Sequence, residues 1–114
     1  QELTTAVSYG IPGKVAILNN RYLGMVRQWQ EMFFNSRYSA TCIDCQPDFV
    51  PLAEAYGATG LRAEKPSEVR DVFDQALASD GQVMRGFGVG REENVWPRVA
   101  PGAAISEVME GLEK

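Results

Sequence analysis

Residues 15–29, Val15-Ala-Ile-Leu-Asn-Asn-Arg-Tyr-Leu-Gly-Met-Val-Arg-Gln-Trp29, leave the chain few folds to choose from. An apolar run too short for a buried helix ends in two adjacent carboxamides. A turn-like segment follows, and Gly24 opens an amphipathic helix. A strand that delivers polar side chains at its carboxyl end and passes at once into a helix is how α/β sheets build ligand sites. The run Lys14 to Leu18 has no polar alternation, which predicts a strand covered on both faces.

The remaining segments fit that frame. Residues 2–9 form a helix with Leu3, Ala6 and Val7 on one face, stopped by Gly10 and Pro12-Gly13. Gly24 to about Phe34 is the second helix, with Met25, Trp29, Met32 and Phe33 at helical spacing and Arg27, Gln28, Gln30 and Glu31 between them. Residues 35–47 are a polar loop. Asp48 is an N-cap with Pro51 in the first turn, and the helix Phe49 to Tyr56 stops at Gly57. Ala58 to Ala63 is a strand, Pro66 starts another helix with Val69, Val72, Phe73, Ala76 and Leu77 as its apolar stripe, and Asp80-Gly81 ends it. Gln82 to Val89 is a third strand, weakened by Arg85, Gly86, Gly88 and Gly90; glycine there marks a bulge or close backbone approach, and a buried, unpaired Arg85 would be costly. Val95 to Gly102 is extended, and Ala104 to Leu112 is a final helix. Strands alternating with helices predict an α/β three-layer architecture on a parallel sheet.

The 114 residues suit one domain able to bury a core. A net charge of -4 offers no basic field for nucleic acid or an anionic membrane. No apolar run reaches the ~18 to 20 residues of a membrane span. Without a basic, apolar leader the expected location is cytoplasmic. The chain contains no histidine, which removes His-based triads and His metal ligands. Cys42 and Cys45 have C-x-x-C spacing; zinc would need two more ligands of that kind, no strong strand precedes the pair, and reduced thiols are favoured over redox chemistry.

The Asn19-Asn20 pair has two readings: a turn, since Asn tolerates the left-handed region, or a hard oxygen donor for Mg2+. Asn-Asn-Arg-Tyr-Leu-Gly-Met-Val-Arg-Gln-Trp-Gln after an apolar strand resembles the thiamine-diphosphate-binding region of acetohydroxyacid synthase (acetolactate synthase) catalytic subunits. Gln1-Glu-Leu-Thr-Thr, Tyr9-Gly-Ile-Pro, Pro47-Asp-Phe-Val, Leu52-Ala-Glu-Ala-Tyr-Gly and Glu92-Glu-Asn-Val-Trp-Pro-Arg-Val-Ala-Pro-Gly extend the resemblance nearly end to end. That cofactor motif opens with Gly-Asp-Gly and closes with Asn-Asn. The chain holds the closing half, and counting back from Asn20 puts the opening just before Gln1. Residues 1–114 are therefore expected to be the C-terminal portion of a thiamine-diphosphate-binding domain, a partial pyrimidine/pyrophosphate-type fold.

The resemblance implies that Asn20 gives its side-chain oxygen and Tyr22 its backbone carbonyl to Mg2+, which holds the cofactor diphosphate. Gly24 and Met25 would contact the cofactor, with Met25 and Val26 near the thiazolium. Val26 and Trp29 would line the pocket of the second 2-oxoacid, Trp29 being also a herbicide-contact position in the family. It implies a homo-oligomer acting on 2-oxoacids: pyruvate is decarboxylated and its two-carbon unit joined to a second 2-oxoacid in branched-chain amino-acid biosynthesis. No catalytic residue falls within the chain, since the family's activating glutamate lies on a partner subunit, and FAD belongs to the parent enzyme alone. The isolated chain is expected to be inactive. The competing expectation is a non-catalytic α/β module, such as a gene remnant, that self-associates or binds a partner. The region Val83-Met-Arg-Gly-Phe-Gly-Val-Gly-Arg-Glu departs from the family, whose third strand runs apolar with an acidic residue and leads to Asp-Pro-type residues before Glu-Asn-Val.

Overall fold

The computed structural model describes residues 1–111. In chain order the elements are α1 (Glu2–Ser8), β1 (Lys14–Asn19), α2 (Gly24–Phe33), α3 (Phe49–Ala55), β2 (Thr59–Ala63), a 3-10 turn (Pro66–Glu68), α4 (Val69–Ala78), β3 (Val83–Gly88), β4 (Arg98–Val99) and β5 (Val108–Met109). They fall into two compact units, Gln1–Asn20 with Cys45–Val89, and Arg21–Asp44 with Gly90–Lys114.

The first unit is the α/β layer. Its sheet has the order β1-β3-β2 and is parallel throughout, with Lys14 and Thr59 both level with Val83. Successive residues of a strand face opposite sides, so the register sorts the sheet into two faces. Gly60 is level with Met84, and on that side α3 lies so close that a Cβ on Gly60 would meet the Val50 backbone. Leu61, Ala63, Arg85 and Phe87 face the other side, where α4 supplies Val72 to the core with Ala63 and Phe87. The Phe73 ring stacks on Phe87 at 5.3 Å. Helix, sheet and helix make the expected three layers.

Local signals hold at α3. The Asp48 side chain accepts from the Val50 N–H, Tyr56 caps the far end, and Gly57 leaves the helix at φ +78°. Asp48 also pairs with Arg62, and that guanidinium, followed by the Val50 N–H, holds its carboxyl below the usual carboxylate range. Lys14 Nζ reaches the Ser79 and Gly81 carbonyls at 2.8 and 2.6 Å, tying the start of β1 to the end of α4.

Three expectations change. The strand covered on both faces is not β1. Among the described residues only β3 pairs with it, and Leu18 and Val15 are 71% and 40% exposed. The most buried strand is the glycine-interrupted β3, in the centre, and it is buried on one face only, through Val83, Arg85 and Phe87, with Met84 and Gly86 on the other face partly exposed. Its glycines do not mark close approach, because a Cβ on Gly86 would meet nothing within 4 Å. A parallel ladder is made by backbone, and Gly86 simply faces open space. Third, residues 104–111 are not helical. Glu107 N–H bonds the Ala104 carbonyl in a tight turn, and Val108–Met109 pairs antiparallel with Arg98–Val99. Strand pairing outweighs the helix propensity of an Ala-Ala start; Leu112 lies outside the described residues.

Arg85 is the most expensive group in this unit. It is 5% exposed, and its Nε and Nη1 are buried without hydrogen-bond partners. Its guanidinium lies over the Phe73 ring at 4.0 Å and the Phe87 ring at 5.9 Å. Cation–π contact offsets part of the desolvation, up to ~2 kcal/mol, but a buried unpaired charge costs more than that. Arg85→Met is therefore expected to stabilise the protein by about 1 kcal/mol, read as a higher urea midpoint; a lower midpoint would refute this account.

In the second unit α2 presents its polar side inward. Arg27 and Gln28 are buried, whereas Met25, Val26, Trp29 and Phe33 are 40–50% exposed. The Gln28 carboxamide donates to the Val95 carbonyl and accepts from the Val95 N–H, both at 3.1 Å, as a strand neighbour would. Arg27 bonds Glu31 and the Tyr38 hydroxyl and pairs with Glu92. Hydrogen-bond partners rather than apolarity decide which side of α2 is covered.

Candidate cofactor and metal site

The candidate site begins where β1 ends. Asn19 belongs to the strand, level with Gly88, and its carbonyl accepts from the Val89 N–H. Asn20 follows and closes the first unit; Arg21 opens the second. The left-handed residue here is Arg21, at φ +58°, not either asparagine. A non-glycine residue at positive φ is uncommon and persists only where its surroundings impose it.

Tyr22 comes next and forms a bridge with Cys42. The flanking bonds run from Leu23 N–H to the Thr41 carbonyl, at 2.8 Å, and from Ile43 N–H to the Arg21 carbonyl, at 2.9 Å. That pattern is an antiparallel non-hydrogen-bonded pair. It turns the backbone N–H and C=O of Tyr22 to the side away from Cys42. Arg91 donates to both carboxylate oxygens of Asp44 at 3.0 and 3.1 Å, and the Cys42 thiol donates to the same carboxylate at 3.0 Å. The thiol first, and then the Arg91 guanidinium, hold the Asp44 carboxyl below its ordinary range. Cys42 and Cys45 are both free and exposed.

Gly24 is the first residue of α2. Leu23, the N-cap residue, makes no side-chain cap bond, and the first turn carries no acidic residue. The start of a helix, with its leading N–H groups and the positive end of the dipole, is an arrangement that can receive phosphate oxygens. Met25, Val26 and Trp29 lie on the exposed side of α2 described above. Trp29 meets Phe33 edge-on at 6.3 Å, and the Arg98 guanidinium lies 5.8 Å from its ring centre.

Among the described residues no three His, Cys, Asp or Glu side chains gather as a ready metal cage. A hard cation here would depend on an amide oxygen, a main-chain carbonyl and donors from its ligand, a set that suits Mg2+. An apolar cleft of the first unit is a different place. It encloses about 310 Å³ on the α4 side of the sheet, between Ala16, Leu18, Val69, Phe73 and Phe87. None of the predicted site residues lines it.

Residues 1–84 match the family described as thiamine pyrophosphate enzyme, C-terminal TPP binding domain. The chain belongs to that family. As a thiamine-pyrophosphate domain it is 50% identical over 113 residues to an acetolactate synthase of Mycobacterium bovis, covering 95% of this chain and 18% of that protein. It is 44% identical over 112 residues to the acetolactate synthase isozyme 2 large subunit of Escherichia coli, covering 98% of this chain and 20% of that one. The domain thus spans about a fifth of the curated relatives it matches. Its fold is shared with the thiamine diphosphate-dependent 4-hydroxybenzoylformate decarboxylase of Rhodococcus jostii, at a TM-score of 0.71 and 28% identity over 81% of this chain and 17% of the other. No helix among the described residues is long and apolar enough to cross a membrane.

What sequence reasoning missed in this thiamine-pyrophosphate domain is the set of residues that hold the segment after Asn20: Arg21, Arg27, Tyr38, Cys42 and Arg91. Their signal is weak. Arg27 and Arg91 read as ordinary surface charges, and only the excess of tyrosine and arginine around residues 21–38 hints at ring–guanidinium packing.

Proposed function

We propose that this domain supplies the metal- and diphosphate-holding half of a thiamine diphosphate site in an acetolactate synthase. The observation that carries the reading is the passage from β1 to α2: Asn20 at the strand end, left-handed Arg21, the turned backbone of Tyr22 and the start of α2 at Gly24. In this reading Asn20 Oδ1 and the Tyr22 carbonyl coordinate Mg2+. The leading N–H groups of α2 face the diphosphate. Met25 and Val26 shield the reacting end of the cofactor from water, and Trp29 with Val26 shapes the room for a second 2-oxoacid. Thiamine diphosphate supplies the electron sink for 2-oxoacid decarboxylation; the protein supplies binding, orientation and electrostatics. The exposed apolar side of α2 fits a complete enzyme that is a homo-oligomer working on soluble 2-oxoacids in the cytoplasm, with FAD held outside this domain.

The test uses a full-length acetolactate synthase large subunit carrying this segment. Losing even a group that only orients a metal ligand costs about 10- to 100-fold, so Asn20→Ala, which removes a direct ligand, is expected to weaken Mg2+-dependent thiamine diphosphate binding by at least about tenfold. Unchanged binding would remove Asn20 from the site. The 114 residues alone are expected to show no thermal shift with Mg2+ and thiamine diphosphate and no acetolactate formation; either one would overturn the half-site reading.

A further inference from the structure

Tyr22 is held more firmly than a main-chain ligand by itself requires. Two guanidinium groups reach its ring, Arg91 at 4.9 Å and Arg27 at 5.6 Å from the centroid. Both are anchored elsewhere. Arg27 is 4% exposed, its guanidinium lies 4.9 Å from the Tyr38 ring, and it binds Glu31 at 3.1 Å, the Tyr38 hydroxyl at 3.3 Å and Glu92 at 3.6 Å. Its Nε stays buried without a partner, so the position is occupied at a desolvation cost. Arg91 is fixed by both Asp44 oxygens and by Cys42 Sγ at 3.6 Å, and Asp44 lies 3.9 Å from Arg21. The ring of Tyr22, its preceding residue and its bridge partner Cys42 thus belong to one network.

We infer that Arg27 and Arg91 are positioning residues: by clamping the Tyr22 ring they fix the direction of the Tyr22 carbonyl, and so set the affinity of this site for a hard divalent cation. The inference rests on the reading of Tyr22 as a carbonyl ligand. A main-chain oxygen cannot be tuned by changing its own chemistry. Its aim depends on φ and ψ around a left-handed residue, and a clamped ring removes the alternatives. Mg2+ tolerates little departure from octahedral geometry, so such aim matters for it more than for Ca2+.

The experiment is a Mg2+ titration of thiamine diphosphate binding, followed by fluorescence, in a full-length acetolactate synthase large subunit carrying this segment. Tyr22→Leu keeps the carbonyl and removes the ring. It is expected to raise the Mg2+ half-saturation concentration at least about fivefold, since one ring–cation contact is worth that much and the ring makes two, and Tyr22→Phe to restore it. Arg91→Met is expected to act in the same direction and to add nothing in the Tyr22→Leu background, because the contact is already gone. An unchanged half-saturation in Tyr22→Leu, or additive effects, overturns the clamp while leaving the metal site standing. An unsubstituted protein whose cofactor binding ignores Mg2+ overturns the metal reading and the clamp together. A purely structural role would lower the melting temperature without moving the Mg2+ midpoint, and that result also counts against the clamp.

Discussion

Gly60→Ala lowers the denaturation midpoint of the protein by the equivalent of about 2–3 kcal/mol, and Gly60→Val by more. A Cβ at this position would lie 2.6 Å from the Val50 carbonyl oxygen, 2.8 Å from its Cα and 3.0 Å from its Cγ1. Two of those atoms are backbone of α3, which the Asp48 cap and its Arg62 pair hold in place, so no side chain can swing aside. Glycine inside a strand sacrifices 0.5–1 kcal/mol relative to alanine, and here the close packing of α3 on the sheet is the compensation. The control is Gly86→Ala, one strand away, where a Cβ meets nothing within 4 Å. That change should be neutral or stabilising by about 0.5 kcal/mol. Equal costs at the two glycines in urea denaturation would show that α3 is not seated on Gly60 as described.

Gln28→Ala is the second large effect, at about 2–4 kcal/mol. Gln28 is 1% exposed, and its carboxamide takes both backbone groups of Val95. Truncation removes two hydrogen bonds, each worth ~0.5–1.5 kcal/mol, and leaves a void where the buried Gln28 side chain stood; Val95 itself is 59% exposed, so water can reach its freed groups. Gln28→Glu keeps the acceptor and forfeits the donor, so it should fall between the two. The measurement that separates this from general loosening is amide hydrogen exchange. The Val95 N–H should lose protection in Gln28→Ala while the amides of β3 keep theirs. Retained protection at Val95 would mean that the carboxamide is dispensable.

These two positions also mark what was legible before the structure. Features set by residues near one another in sequence read directly: the strand leaving at Asn19, the helix opening at Gly24, the Asp48 cap and the stop at Gly57 all depend on neighbours within a turn. Gln28 and Arg27 did not. Their partners, Val95, Tyr38 and Glu92, lie 11 to 67 residues away, and hydrophobic periodicity registers apolarity without registering partners. The same blindness hid the central place of β3. Its glycines weaken the strand signal, and nothing local says that two other strands will flank it. The C-terminal helix was misread for a related reason: β5 exists because Arg98–Val99 is there to pair with it. At the candidate site, the family signature pointed to Asn20, Tyr22 and Gly24, yet the left-handed Arg21 and the ring clamp on Tyr22 emerge from packing alone.

The sheet order has a consequence for how the protein is made. β1 and β2 never touch as ladder partners; each pairs only with β3, which begins at Val83. During synthesis, two strands therefore leave the ribosome before the strand that joins them exists. At 5–20 residues per second the interval between Asn19 and Val83 is several seconds, far longer than the microseconds in which a hairpin closes. For that period Val15, Ile17 and Leu18 lack the neighbour that β3 gives them in the described sheet. The nascent chain is most in need of chaperone cover, or of a fast-folding segment ahead of it, until β3 has emerged.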